Sequence, residues 1–587
     1  MSFFAGIFSV SHERPDRYFK ELESAAALSA DFTVSRYDDS HLVLLHGHLE
    51  GVLPEAGWSN NESTVTAVAG SLHLTTPPTP ERDNSQPELA VITNSLRSGQ
   101  IRDLCNANGT FALCFYDRQS HTLILAVDCL GGRPLYYAIS SGLLFFSTSL
   151  TVLESLEMVP KIVEVASYVE QEALCYPLGD RTIYRGIKVA VANECIIAKN
   201  GNVVNEKYFD WATAPLADHA VDELAWTCRR ALRAAVADRA GSRVKQLSLL
   251  SGGLDSRVLV TELLDLGYQV EAINVARDGF QDQIYARRFA DAAGIQLATV
   301  PWSPDLIGLT VGDSTARLLG AAGSGLAPGS VFSGDGGGET FGFLLMNLES
   351  AKLLNEGRPG AAVNEYLKNR QISKKLFKSC AYQQLSAVAN DRMEQELTSI
   401  GCEKLEKALH ILVLYNDLRC HLHEYFNRLQ RSRVELLLPF YDRRVIASIM
   451  RIPPPLESFM RHSFYHCVVS LLQPLVGSAP WQTYPGHIAC PTEEDSPPPN
   501  QWSRTRINGN KLAKVCLRMA LSPGFVPLLR RSTVLGAVIL HWARQADYDY
   551  LFRTCINTQA LCGGNRAYII RDQTLAHAAA VSKEIAR

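Results

Sequence analysis

KQLSLLSGGLDSRVLVTE, residues 245–262, is the stretch that decides the fold of the larger part of this chain. The apolar run 247–250 predicts a strand that leads into SGGLDS (251–256), and the apolar pattern of 258–264 predicts a helix after it. In such a unit, free backbone N–H groups and the positive end of the helix dipole meet at one point. The two glycines let the backbone approach an anion, and the two serines add hydroxyl donors. The stretch therefore predicts a phosphate-binding loop.

The carboxylate of Asp255 adds a requirement to this loop. A phosphate repels it unless a cation lies between the two, so its presence predicts bound Mg²⁺. The loop is shorter than a Walker A motif and lacks the lysine of that motif. The alternative at this point is an ordinary strand-to-helix turn that contains two glycines.

Composition restricts the class of protein. The 587 residues predict two to four domains, and 47% apolar with 20% charged residues is typical of a soluble globular protein. The net charge of −3 argues against nucleic acid or an anionic membrane as a partner. No apolar run is long enough to span a bilayer, and no secretory signal is visible. The 14 cysteines are scattered without a CxxC pair, which predicts reduced thiols in a cytoplasmic protein.

The hydrophobic pattern divides the chain into domains at 1–212 and 213–587. The first part contains short apolar runs separated by polar turns, which predict antiparallel strands of a sandwich. These runs are HLVLLHG (41–47), GTFALCFYD (109–117), HTLILAVD (121–128) and GLLFFSTS (142–149). In the second part strands alternate with helices, as in a parallel sheet, and 350–450 is mainly helical. Two Pro-rich segments, 75–87 and 492–502, predict a surface loop and a mobile segment.

SGGLDS resembles the pyrophosphate loop of enzymes that split ATP into AMP and pyrophosphate, among them asparagine synthetases. The resemblance implies an α/β parallel-sheet ATP pyrophosphatase (PP-loop) domain with helical additions, and ATP and Mg²⁺ as cofactors. In a second strand–helix unit, 269–296, Asp282 and Tyr285 match the family, and the strand end at Val275 and Ala276 would contact adenine. The implied nucleotide-binding residues are Leu250, Ser251, Gly252, Gly253, Leu254, Asp255, Ser256, Val275, Gly334 and Gly336.

The first part resembles the glutaminase domain of class II amidotransferases over 109–150 and 181–211. This implies an αββα sandwich of the N-terminal-nucleophile (Ntn) type, in which an N-terminal Cys attacks glutamine. Here Ala5-Gly6-Ile7 is matched to the family's Cys-Gly-Ile, and His46-Gly47-His48 to its Asn-Gly-Glu. No Cys occurs before Cys105, so we expect an inactive glutaminase relic with a structural role.

The Gly-rich segment SVFSGDGGGETFGF (330–343) resembles a second phosphate-binding loop of the family. Glu339 matches the last acid of that loop, and Gly338 stands where the family has a Mg²⁺-binding Asp. Asp335 is therefore expected to act in catalysis, and Asp255, Asp335 and Glu339 to bind metal. The alternative is a site with one carboxylate fewer.

Two further segments bear on the site. In FNRLQRSRVELLLPFYDRRVIASIMRIPP (426–454), Glu435 and Asp442 match acids of the family; Glu435 is expected to be catalytic, with a supporting structural role as the alternative. The segment APWQTYPGHIACP (479–491) lacks the Lys that asparagine and β-lactam synthetases carry there. It is similar instead to the cyclases that close the macrolactam ring of lasso peptides. Arg461, His462 or His487 could supply the missing cation, although a lone His is more often packed or on the surface.

Three hypotheses follow from these patterns. The first is a lasso-type macrolactam synthetase, whose partners are a precursor peptide substrate and a leader-removing protease. The second is a small-molecule amide synthetase of the asparagine or β-lactam synthetase kind. The third is a non-catalytic binding protein with a decayed site, against which the intact SGGLDS argues.

Overall fold

The structure is a computed structural model. It describes residues 2–558 apart from 12, 27–31, 50–56, 75–87, 175, 218–220, 302–328, 342–346, 369–371, 428–433, 455, 483–489, 491–495, 500–505, 527, 544–550, 553 and 557. The Pro-rich segment 75–87 lies outside these residues, and of 492–502 only 496–499 is described.

The first part of the chain folds as two antiparallel six-stranded sheets. The strands are β1 (Phe3–Ser9), β2 (Phe32–Asp38), β3 (Leu42–Leu49), β4 (Trp58–Asn60), β5 (Thr64–Gly70), β6 (His73–Leu74), β7 (Ala107–Asn108), β8 (Phe111–Asp117), β9 (Thr122–Val127), β10 (Tyr136–Ser140), β11 (Leu143–Ser147), β12 (Ile187–Val189), β13 (Glu194–Lys199) and β14 (Asn202–Lys207). One sheet has the order β12-β10-β11-β1-β3-β2, the other β14-β13-β9-β8-β5-β4, and β6 pairs with β7. The four apolar runs named above lie on β3, β8, β9 and β11, so the predicted sandwich is confirmed.

Successive side chains along each strand point to opposite faces of the sheet, and this alternation produces the layers of the sandwich. One face of each sheet meets the other sheet, with Phe4 and Leu44 packed against Ala67 and Leu125. The outer faces carry helices: α1 (Phe19–Ala26) and α3 (Leu150–Ser155) cover the first sheet, and α2 (Glu88–Arg97) covers the second. The result is the αββα arrangement that the resemblance implied. Helix α4 (Val165–Leu174) follows and packs against the second part of the chain.

The second part is built on a parallel sheet of order β17-β16-β15-β18-β19. Its strands are β15 (Lys245–Leu249), β16 (Gln269–Ala276), β17 (Gln296–Pro301), β18 (Gly329–Phe332) and β19 (Val434–Leu437). Helices α5 (Val221–Ala240), α6 (Leu254–Asp265) and α7 (Gln281–Ala293) alternate with the first of these strands. All carboxyl ends meet at one edge, the place where open α/β sheets bind ligands. The predicted strand–loop–helix unit is confirmed as β15, SGGLDS and α6.

Helices form the rest of the second part. They are α8 (Gly337–Thr340), α9 (Leu348–Asn355), α10 (Pro359–Leu367), α11 (Ser379–Leu385), α12 (Val388–Ser399), α13 (Leu405–Asn427), α14 (Arg443–Met450), α15 (Glu457–Met460), α16 (Ser463–Ser470), α17 (Arg506–Leu521) and α18 (Arg531–Trp542). The expected helical character of 350–450 is therefore confirmed, with β19 as its one described strand. Among the described residues, no helix has the length and hydropathy needed to cross a bilayer.

The two parts share a hydrophobic core. A buried cluster joins Phe3 and Phe145 of the sandwich to Leu422 and Phe426 of α13 and to Leu438 after β19. Each of these side chains is less than 2% exposed. The sandwich and the parallel sheet are therefore fixed to one another by burial rather than joined by a loose linker.

Candidate functional site

The SGGLDS loop connects β15 to α6 at the carboxyl edge of the parallel sheet. Gly253 is the N-cap of α6, and no side chain caps the first turn. Inside the loop, the Ser251 N–H donates to Ser256 Oγ at 3.0 Å, and the Gly253 N–H donates to Ser251 Oγ at 3.1 Å. The serines thus hold the loop in shape, and the first turn of α6 points its N–H groups toward the sheet edge.

Gly252 is packed against the first turn of α7. Its N–H donates to Asp282 Oδ1 at 3.0 Å, and a Cβ at position 252 would lie 2.7 Å from Asp282 Cα. Only glycine fits this approach. Asn274 supports both sides, because its Nδ2 donates to Leu250 O at 2.8 Å and to Asp282 O at 3.1 Å. Asp282, which the sequence matched, therefore shapes the loop, and Asn274 had given no sequence signal.

Asp255 lies in the first turn of α6, with its half-buried side chain packed against the Gly-rich loop. The Tyr465 hydroxyl donates to Asp255 Oδ1 at 2.6 Å. Burial raises the pKa of Asp255 to about 7, the Tyr465 hydroxyl and the Gly338 N–H oppose this rise, and the charges of Glu339 and Asp335 add to it. Tyr465 stacks on Phe341 with ring centroids 4.3 Å apart, which fixes the donor. No sequence signal pointed to Tyr465, which lies 210 residues from Asp255.

The Gly-rich loop after β18 closes over Asp255. A Cβ on Gly337 would lie 2.3 Å from Asp255 Cγ, so position 337 has no room for a side chain. A Cβ on Gly334 would likewise lie 2.7 Å from the backbone nitrogen of Ser256. Gly336 has a φ of 92° and faces the ring of Tyr441. The structure therefore brings both predicted loops together, and Gly334 and Gly336 serve that close packing.

Two of the expected metal ligands, Asp335 and Glu339, lie near enough to Asp255 to affect its pKa. Asp335 and Glu339 both act on the charge of Asp255, and three acids near a helix N-terminus are a donor set that suits Mg²⁺. Within the described part of the chain, however, no three acidic, His or Cys side chains are close enough to hold an ion by themselves. The residues fit an ion that substrate phosphates would help to hold.

Arg257 is a buried cation that the motif comparison did not single out. It is fully buried, Nη1 donates to Ala479 O at 2.6 Å, and Nη2 donates to Pro480 O and to Gly252 O. Burial lowers the pKa of Arg257 to about 10. The Gln482 N–H also donates to Gly252 O, at 3.2 Å. The start of the 479–491 segment is thus tied to the SGGLDS loop.

Comparison with known proteins agrees with this arrangement. Residues 227–462 match the family model described as asparagine synthase, and residues 84–209 match the model of a glutamine amidotransferase domain. The second part of the chain is thus similar to asparagine synthases and the first part to glutamine amidotransferase domains, and the two domains take their names from these matches. Over 227 residues it is 23% identical to "Asparagine synthetase [glutamine-hydrolyzing] 1" of Bacillus subtilis (strain 168), which covers 38% of this chain and 35% of that protein. The chain thus matches about a third of that relative's length.

Two solved structures are also similar over part of the chain. One is titled "Structure of the allosteric regulatory enzyme of purine biosynthesis"; the TM-score is 0.25 with 12% identity, over 57% of this chain and 80% of that one. The other is the glutamine phosphoribosylpyrophosphate amidotransferase from B. subtilis complexed with ADP and GMP. Its TM-score is 0.23 with 13% identity, over 57% of this chain and 81% of that one.

Glu435, which the sequence predicted to be catalytic, lies where the two parts of the chain meet. It lies on β19, is 2% exposed, and turns both carboxylate oxygens toward the amidotransferase domain. Oε1 accepts from Arg133 Nη1 at 2.8 Å, and Oε2 accepts from the Ser2 N–H at 2.9 Å. The guanidinium of Arg133 lies 4.1 Å above the ring of Phe426 and donates to Ser2 O. Glu435 therefore pairs across the interface between the two domains.

Asp442 is also a structural residue. Its Oδ2 accepts from Arg239 Nη1 at 2.9 Å, and both side chains are fully buried. Oδ1 caps α14 by accepting from the Arg444 N–H at 3.0 Å. These cations hold the pKa of Asp442 below its usual range. The supporting role, left open by the sequence, is the one that these contacts describe.

The candidates for a missing cation are placed differently. Arg461 pairs with Glu457 at 3.1 Å on the surface, and both side chains are about half exposed. His462 lies edge-on to Tyr465, with ring centroids 5.6 Å apart, next to the residue that holds Asp255. His487 lies outside the described residues.

The residue that the sequence matched to the nucleophile position is part of a strand. Ala5 lies in the middle of β1, fully buried, and pairs with Leu45 and Ser147 on its two sides. A residue there is inside the sheet, whereas the residue that leads into β1 is Ser2. Its hydroxyl accepts from the Gly70 N–H at 2.7 Å.

His46, of the His46-Gly47-His48 motif, lies in the interior beside this position. Its Nε2 is 3.0 Å from Val68 O, and its ring stacks on Trp58 with centroids 5.7 Å apart. Burial lowers the pKa of His46 to about 4. The neutral ring thus fills the sandwich interior as an aromatic packing group.

Proposed function

We propose that the asparagine synthase domain forms an amide bond between a carboxylate and an amine at the expense of ATP. A carboxylate oxygen attacks the α-phosphorus of ATP, the bond from that phosphorus to the bridging oxygen breaks, and pyrophosphate leaves with the electron pair. The amine then attacks the acyl carbon, AMP leaves, and the amine loses a proton. Activation is needed because oxide is a poor leaving group in water, whereas AMP is a good one.

The observation that carries this proposal is the close approach of the two predicted phosphate loops around Asp255. The N–H groups at the start of α6 would bind the phosphates, and the Gly-rich loop would close on them from the β18 side. Asp255, with Asp335 and Glu339, would hold Mg²⁺, which neutralises phosphate charge when it is bound. Asp335 is the acid that we expect to act in catalysis in place of Gly338. Val275, at the carboxyl end of β16, would lie beside the adenine.

We infer that the amidotransferase domain supplies no ammonia. It has no Cys before Cys105, and the Ser2 hydroxyl and main chain are bonded to Gly70, Arg133 and Glu435. The amine would then come from the substrate itself. Glutamate release from glutamine should remain at the background rate with purified protein, and measurable glutaminase activity would contradict this inference.

The finer proposal is macrolactam ring closure in a lasso-type precursor peptide. The amine would be the N-terminus of the trimmed peptide and the carboxylate an Asp or Glu side chain within it, with a leader-removing protease as partner. Two features support it: the 479–491 segment contains no Lys, and its first residues are bonded to the ATP loop through Arg257. Contacts between this segment and the substrate would therefore change the position of the loop that binds the phosphates.

A small-molecule amide synthetase is the second candidate. The 23% identity to an asparagine synthetase favours it, since that relative carries the same domain. Aspartate or another small amino acid would then be the carboxylate substrate. A third reading, a binding protein with a decayed site, is disfavoured by the fully formed loop around Asp255.

Pyrophosphate release separates these candidates. Purified protein with ATP and Mg²⁺ is assayed alone, with trimmed precursor-type peptides, and with aspartate plus ammonia. Release only with peptide, together with loss of one water mass from the peptide, supports ring closure; release only with aspartate and ammonia favours the second candidate. Asp255→Asn should abolish release in either case, while Asp291→Asn, an exposed acid on α7, should retain it. Release that persists in Asp255→Asn would refute the proposed role of the loop.

A further inference from the structure

Two segments of the asparagine synthase part have a charge composition unlike the rest of the chain. Overall, 57 Lys and Arg residues nearly balance 60 Asp and Glu residues. Yet 366–390 contains five Lys or Arg residues, 496–546 contains eight, and neither segment contains an acid. A block of one charge sign indicates a surface that meets the opposite sign.

The fold brings these segments together. Phe377 and Leu529 form an antiparallel bridge, and the Arg530 N–H donates to Leu376 O at 2.7 Å. Where they meet, the surface forms an open cavity of about 600 Å³. Its polar and aromatic lining comes from Lys378, Ser379, Phe525, Arg530, Arg531 and Ser532. Three cations thus converge on one concave site.

Neutral groups hold two of these cations in place. Arg530 Nε donates to Phe377 O at 2.9 Å, and its Nη2 donates to Ser379 Oγ at 2.8 Å. Arg531 Nη2 donates to Ser522 O at 3.0 Å, and its guanidinium lies 5.4 Å from the centre of the Phe525 ring. Such acceptors orient a guanidinium without cancelling its charge.

Among the residues that the structure describes, no acid compensates the positive charge of the cavity. No described carboxylate pairs with Lys378, Arg530 or Arg531. Helix α18 begins at Arg531, and its first turn, which has no side-chain cap, presents Ser532 to the same cavity. The free N–H groups of that turn add to the attraction for an anion.

We propose that this cavity binds a small phosphate monoester at a site separate from the SGGLDS loop. Its volume is in the range of small-molecule sites, and a guanidinium fork matches the geometry of phosphate oxygens. Phe525 and Leu529 supply apolar surface for the rest of such a molecule. The cavity shares no lining residue with the ATP loop, so the inference does not depend on the proposed function.

Calorimetric titration of the full chain tests the site. The probes are glucose 6-phosphate, inorganic phosphate, and glutarate as a dicarboxylate of the same charge sign. We expect saturable binding of one glucose 6-phosphate per chain, weaker binding of inorganic phosphate, and the weakest binding of glutarate. Absence of saturable binding of both phosphates, or glutarate binding as tightly as glucose 6-phosphate, would overturn the proposal.

Substitutions locate the binding to the cavity. Ser532→Asp adds a negative charge where an acid favours helix formation, so the variant should fold while binding falls by about tenfold or more. Arg531→Met should have the same effect, and Arg531→Lys should be intermediate because a point charge replaces the fork. Lys374→Met removes an exposed cation of the same segment outside the cavity and should change affinity by less than about twofold. Equal loss in Lys374→Met and Arg531→Met would mean diffuse attraction and would reject a built site.

Discussion

Tyr465 holds Asp255 by a 2.6 Å hydrogen bond from its hydroxyl to Oδ1, and it is itself fixed by stacking on Phe341 at 4.3 Å. The two residues come from α16 and α6, so the position of the loop carboxylate depends on a distant helix. Tyr465 therefore acts as a positioning residue.

Tyr465→Phe tests this relationship. Removal of one hydrogen bond to a charged partner costs about 1.5–3 kcal/mol, so we expect kcat/KM for ATP to fall by about tenfold to a hundredfold. The ring remains and the fold should be retained. Pyrophosphate release is measured as a function of ATP concentration, and Tyr382→Phe, on α11, is the control. An unchanged rate would show that Asp255 needs no such support.

Arg257→Met tests the link between the loop and residues 479–482. The substitution removes the Arg257 donor from the carbonyl oxygens of Ala479 and Pro480 and leaves Gly252 O with the Gln482 N–H alone. We expect a loss of about 2–4 kcal/mol in the free energy of unfolding and a higher KM for ATP. Urea unfolding and pyrophosphate release measure the two effects. Arg230→Met, an exposed cation on α5, should change neither.

The Arg133–Glu435 pair tests how the domains are joined. Arg133→Met leaves the buried carboxylate of Glu435 without its cation and should lower the free energy of unfolding by about 3–5 kcal/mol. Glu435→Gln should also lower it. The double variant should lose less than the sum of the single losses, which a double-mutant cycle in urea measures. The exposed pair Arg14–Asp16 is the control, with an expected coupling of less than about 1 kcal/mol. Strict additivity at Arg133 and Glu435 would argue against the pairing.

Acid should destabilise the amidotransferase domain through His46. Its folded pKa of about 4 is below the ordinary value of the unfolded chain, so the unfolded state binds the proton first. The stabilisation is complete above about pH 6.5 and is lost as the pH falls toward 4, by up to about 3 kcal/mol. His46→Gln should flatten the dependence of the urea midpoint on pH between these values. His541→Gln, the control, should show the same dependence of the urea midpoint on pH as the parent protein. If the parent protein shows no such dependence, the buried neutral ring of His46 is contradicted.

Sequence reasoning predicted what depends on local pattern. The strand–loop–helix of 245–262 and the alternation of β8 and β9 follow from neighbouring residues, and the structure confirms both. The sequence could not predict the contacts of a side chain whose partners are far away along the chain. Glu435 could be assigned only after Arg133, 302 residues away, was placed beside it. Tyr465 and Asn274 have no local signature, because a hydrogen bond to Asp255 or Leu250 is a property of the packed sheet edge.

The amidotransferase domain should be required for folding of the second part. Its Phe3 and Phe145 cover Leu422, Phe426 and other apolar groups of the asparagine synthase domain. A chain lacking 1–212 would expose this surface, and we expect it to be insoluble or aggregated. Size-exclusion chromatography and pyrophosphate release measure the outcome. A soluble, active fragment would show that the first domain has another purpose.

Gly252 is bonded on both sides by other parts of the chain, through its N–H to Asp282 and through its carbonyl to Gln482 and Arg257. If the 479–491 segment contacts the substrate and the SGGLDS loop binds ATP, as proposed, a mutation that alters the first contact would also strain the ATP site. New substrate preferences would have to arise by paired changes rather than by single ones. Across related sequences, positions 257, 282 and 482 should consequently vary together, while position 252 stays glycine.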